Sequence, residues 1–93
     1  MYIGEPQSVI LEFSGRVIGV MYDKFGEGLK IKRISENVCR AKVEVHVSPT
    51  FWSWLFMYPK DIHLVEPREL VSEYISHIKT VLNRAYQDVN EYV

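Results

Sequence analysis

Few side chains in this 93-residue sequence could do chemistry, and those few do not form sets. The histidines His46, His63 and His77 are scattered, and no thiolate or carboxylate completes a tetrahedral ligand set around any of them. No metal or cofactor site is therefore expected. Cys39, the single cysteine, has no histidine tied to it by spacing and reads as a small buried hydrophobe. The basic residues are more concentrated. Lys30, Lys32, Arg33, Arg40 and Lys42 stand against only Glu36 and Glu44 between Leu29 and His46. Alternation places Lys30, Lys32, Arg40 and Lys42 on one sheet face, where they could meet an anion or a nucleic acid. That face shows Arg40, Lys42, Glu44 and His46 on its longest strand and no aromatic ring. Base stacking, worth about 1–3 kcal/mol per base, is missing. Charge alone gives weak, salt-sensitive contact. A solvated face, with lysines protecting an edge strand from aggregation, accounts for the pattern more simply.

The strongest signal is apolar. Phe51, Trp52, Trp54, Phe56 and Tyr58 fall within eight residues, together with Leu55 and Met57. A helix through this run has an apolar stripe of only about 100° to hide in a core. Leu55, Phe51 or Trp52, and Phe56 are expected in the core. Trp54, Met57 and Tyr58 exceed what one stripe holds, and surplus aromatic surface on a small domain is a partner signal. The competing reading is that a later helix covers it. The expected contact residues are Trp54, Met57 and Tyr58, with Tyr74 and Ile78 next.

The elements that position these residues are well punctuated. Val9, Leu11 and Phe13 alternate with Ile10 and Glu12 in a half-buried strand over Ser8–Phe13. Ser14 is an N-cap candidate for a helix over Arg16–Phe25, with apolar positions at Val17, Val20, Met21 and Phe25 and a stop at Gly26 and Gly28. Leu29–Ile34 reads as a second strand and Ser35-Glu36-Asn37 as a hairpin loop. Cys39–Val47 alternates most cleanly, with Cys39, Ala41, Val43, Val45 and Val47 inward. Ser48 or Thr50 can cap the aromatic helix, which Pro59 ends. Ile62–Val65 is a short fourth strand, closed at Glu66-Pro67. From Arg68, Leu70, Val71, Tyr74, Ile75, Ile78, Leu82 and Ala85 form a one-sided helical stripe, expected to fray after Tyr86.

The first six elements follow the split βαβ plan, so the expected class is α+β, a ferredoxin-like βαββαβ antiparallel sheet with an additional C-terminal helix. The boundaries read as a linker over residues 1–7, a domain over 8–86 and a tail over 87–93. The start, with Gly4 and Pro6, reads as the cut end of something longer. The length suffices for one core without disulfides. A formal net charge of -1 supplies no overall basic field, and no apolar run approaches a membrane span. A single cysteine suits a reducing cytoplasm.

The stretches V-I-L-E-F-S-G-R-V, E-V-H-V-S, W-L-F and D-I-H-L-V-E-P-R-E-L, in this order, resemble the C-terminal extension of bacterial WYL-domain transcriptional regulators. The similarity runs from Gln7 to about Tyr86. It implies dimerisation and support of a neighbouring effector-sensing WYL domain, with DNA met only through a separate winged helix-turn-helix. The W-Y-L triplet and the helix-turn-helix have no counterpart in this sequence. A different likeness points to an enzyme: G-R-V-I-G-V-M-Y-D from Gly15 to Asp23 is similar to the phosphate loop of acylphosphatases, which share the fold plan. That chemistry needs an arginine where Asp23 stands and an asparagine where Arg33 aligns, so both working positions are lost. The expectation is a non-catalytic, cytoplasmic domain acting through protein–protein contacts, as a homodimer and against its WYL neighbour. The alternative is a small-molecule or nucleic-acid sensing module.

Overall fold

The computed structural model describes the backbone of residues 5–92 and the side chains of residues 5–87. Strand β1 (Gln7–Ser14) lies inside a four-stranded sheet, with β3 (Val38–Val45) on one side and β4 (Ile62–Glu66) on the other. β2 (Ile31–Arg33) pairs with the outer side of β3, giving the order β2-β3-β1-β4 with every neighbour antiparallel. A 3-10 turn (Gly15–Val17) leads into α1 (Ile18–Phe25), α2 (Pro49–Phe56) joins β3 to β4, and α3 (Arg68–Tyr92) follows β4. This is the α+β, ferredoxin-like order with one added C-terminal helix.

Period-two alternation builds the sheet's inner face. Val9, Leu11 and Phe13 from β1 meet Cys39, Ala41, Val43 and Val45 from β3 and Ile62 and Leu64 from β4. Onto this floor α1 sets Met21, α2 sets Phe51, Trp52 and Leu55, and α3 sets Leu70. All are buried, and each large apolar side chain so placed contributes about 1.5–3 kcal/mol relative to exposure. The buried side chains of the described residues include no polar or charged residue.

Several local expectations are revised. Ser14 makes no capping bond; its hydroxyl instead donates to Asp61 Oδ1 at 3.0 Å, so the chain enters α1 through the 3-10 turn. Ser48 does cap α2, accepting from the Phe51 N–H at 3.3 Å. Gly26 ends α1 at φ 89°, a left-handed conformation that favours glycine, and its N–H bonds Tyr22 O at 2.7 Å. β2 is shorter than Leu29–Ile34 because the turn bond from Leu29 N to Gly26 O holds the chain off the ladder. Helical backbone continues through Tyr92, across the stretch read from sequence as a fraying tail. Residues 1–4 and 93 lie outside the described residues.

The competing reading for α2, cover by a later helix, holds in part. Helix α3 packs beside α2 on the helical face, through Leu70 and a stacked Trp52–Tyr74 pair with centroids 5.2 Å apart. Among the described residues no helix lies over the opposite sheet face, which has Ile10 and Val65 half-buried at its centre.

Candidate interaction site

Helix α2 has three working sides. Its inner side holds Phe51, Trp52 and Leu55 in the core. One flank faces α1: the Trp54 ring meets Phe25 edge-on at 5.6 Å and Tyr58 at 5.8 Å, and Lys24 Nζ stands 5.5 Å from the Trp54 centroid. Trp54 and Tyr58 are thus half-buried and satisfied within the domain. The other flank faces α3, and there the packing is incomplete. Trp52, Phe56 and Met57 on α2 and its end face Tyr74, Ile78 and Val81 on α3 across a groove of about 220 Å³, with Ser53 and His77 at its rim.

This geometry sorts the five expected contact residues. Met57, Tyr74 and Ile78 line the groove, whereas Trp54 and Tyr58 lie on the opposite flank of the same helix. Phe56, expected in the core, is 56% exposed. The two interior positions of α2 go to Phe51 with Leu55 and to Trp52, which leaves Phe56 one turn beyond Trp52 on the α3 side. Phe56 and Val81 were missed, although their spacing, four residues after Trp52 and three after Ile78, marks them as neighbours on one helix face. Tyr74 stacks on Trp52 and is partly desolvated, and burial raises its hydroxyl pKa above the ordinary tyrosine value.

The basic residues form no comparable site. Lys30, Lys32, Arg40 and Lys42 are all exposed. Lys32 is in register with Arg40, which is in register with Glu12, and Arg40 Nε bonds Glu12 Oε2 at 2.8 Å. Lys42 stands opposite Ile10, and Lys30 precedes β2. The basic residues therefore lie on the β2–β3 side of the open face, and Glu12 and Glu66 lie on the β1–β4 side. Arg33, at the lost acylphosphatase position, donates to the carbonyls of Ser35 and Glu36 and shapes the β2–β3 hairpin. Asp23 is exposed on α1.

One polar cluster joins the ends of β1 and β4. Asp61 Oδ1 accepts from Ser14 Oγ at 3.0 Å and Arg16 Nε at 2.9 Å, while the Asp61 carbonyl accepts from the Ser14 N–H at 3.0 Å. The Arg16 hydrogen bond, aided by Ser14, holds the Asp61 carboxyl below the usual carboxylate range, and Asp61 in turn raises the guanidinium pKa. Among the described residues no group of three or more His, Cys, Asp or Glu comes close enough to hold a metal ion. Among the described residues no helix is long and apolar enough to cross a membrane.

A ferredoxin-like sheet with an open apolar groove between its last two helices makes this a small α+β domain. The chain belongs to the WCX domain family, whose pattern matches residues 5–82. That family is the domain associated with WYL-type regulators, in accord with the sequence resemblance. No curated protein and no solved structure matches the chain.

Proposed function

We propose that this domain is a non-catalytic part of a cytoplasmic WYL-type transcriptional regulator, acting through protein–protein contacts, with itself as a homodimer and with the neighbouring WYL domain. DNA is met by a separate winged helix-turn-helix of the same protein. The observation that carries this reading is the groove between α2 and α3. Phe56 and Met57 are 56% and 67% exposed beside Tyr74, Ile78 and Val81, an apolar patch of a kind that soluble monomers rarely leave open. At about 220 Å³ the groove falls short of the roughly 300–1,000 Å³ typical of small-molecule sites, which disfavours a metabolite in this groove. The outward positions of β3, Arg40, Lys42, Glu44 and His46, carry no aromatic ring for base stacking, which disfavours nucleic acid.

Sedimentation velocity over a micromolar to submillimolar range, with a titration of the regulator's own WYL domain, tests the reading. A concentration-dependent dimer or saturable WYL binding, weakened by Met57→Glu, is expected. A monomer at every concentration that also ignores the WYL domain overturns it.

A further inference from the structure

Helix α3 is far longer than its docking requires. Its first turns seat Leu70, Val71 and Tyr74 on the domain, and beyond them Ile75, Val81, Leu82 and Tyr86 are exposed. These residues are not scattered. Val71, Ile75, Ile78, Leu82 and Ala85 succeed one another at steps of four, three, four and three, the spacing of a helix–helix seam. Ile78 and Val81 also form one wall of the groove. Groove and seam are therefore one continuous apolar surface that begins on the body and runs out along the free half of α3.

We infer that the occupant of this surface is the α3 of a second copy, packed antiparallel about a twofold axis near the middle of the free seam; the inference rests on the self-association reading above and specifies its face and direction. Direction follows from the shape of the protomer. A parallel mate would bring its own α2 and sheet to the level of the groove, where the first copy's body already stands. An antiparallel mate brings the bare half of its helix, Leu82 to Tyr86, over Phe56 and Met57, and receives the same contact in return. Such a contact is self-complementary, as a twofold dimer requires. The amount of surface also suits it. Ile75, Val81, Leu82, Tyr86, Phe56 and Met57 are 46%, 51%, 60%, 69%, 56% and 67% exposed. Together they offer on the order of 600 Å² of side chain per copy, close to the roughly 800 Å² per partner of a standard interface once their neighbours are added.

Leu82→Glu in the 93-residue chain tests the inference, since Leu82 touches no core residue. At a concentration where the unaltered chain sediments as a dimer, L82E is expected to sediment as a monomer with an unchanged melting temperature as that monomer. A short bismaleimide is expected to link L82C to its counterpart but to leave I75C unlinked, because each residue away from the twofold axis moves both counterparts about 1.5 Å in opposite directions, about 3 Å apart per residue. Linking at both positions indicates a parallel pair and overturns the inference. A persistent L82E dimer places self-association on another face and also overturns it, while leaving the protein–protein reading intact. A chain that stays monomeric yet binds its WYL domain has the same meaning.

Discussion

Asp61 fastens the end of β1 to the start of β4 through three bonds: the Ser14 hydroxyl, the Arg16 guanidinium and a backbone N–H. Its side-chain carboxyl is lowered in the folded state, chiefly by the Arg16 hydrogen bond. The sign of the linkage follows. A depressed carboxylate contributes stability that is fully present above the unfolded pKa, near 3.8, and is lost as pH falls through the lower folded value. Urea unfolding at pH 6 and pH 3 is expected to show Asp61→Asn losing less stability between the two than the unaltered chain, because asparagine keeps acceptors but does not titrate. Equal losses would show that the carboxylate is not coupled to folding. Around α2, single residues differ sharply in what they support. Leu55→Ala empties a fully enclosed site and should cost about 2–5 kcal/mol. Phe56→Ala, at an exposed position, should cost under about 1 kcal/mol. Trp54→Ala should cost about 2 kcal/mol, less than a fully buried tryptophan, and leave self-association unchanged, since its rings face α1. Weaker association in W54A would show that the α1 flank takes part.

At the scale of elements, what was legible in the sequence depended on how many neighbours an element has. β1 and β3 each turn one face to the core, so alternation alone named their buried residues from Val9 to Val45. The cap of α2 was legible to within two residues, Ser48 or Thr50, and the Phe51 N–H bond decides for Ser48. Ser14 had the same local look, but a tertiary partner, Asp61, took its hydroxyl. For α2, periodicity showed that the run holds more apolar side chains than one stripe can bury, but it named Trp54 and Tyr58 as surplus where the structure leaves Phe56 exposed. Two helices flank α2, one absorbing Trp54 and Tyr58 and the other leaving Phe56 and Met57 uncovered, and spacing along eight residues cannot say which flank is closed. The stripe on α3 was equally clear, yet its spacing did not say which surface of the domain it covers. The Trp52–Tyr74 stack decides for α2.

The whole molecule is elongated. Its radius of gyration is 15.2 Å and its extents are 48 × 34 × 23 Å. A compact domain of this length would have a radius near 12 Å. The difference lies in α3, whose 25 residues span about 37 Å, while the last core residue along the chain is Leu70. No residue of the buried core lies in the described outer half of this helix, where Val81, Leu82 and Tyr86 stand exposed. Truncation after Lys79 separates the two halves. It keeps every residue of the core cluster, the Trp52–Tyr74 stack and Ile78. The truncated chain is expected to unfold in one cooperative step within a few degrees of the full chain measured as a monomer, and to show no dimer at concentrations where the full chain has one. A truncated chain that unfolds far lower would mean that the outer turns brace the body. One that still dimerises would move the interface to the Ile10–Val65 face or to the groove alone.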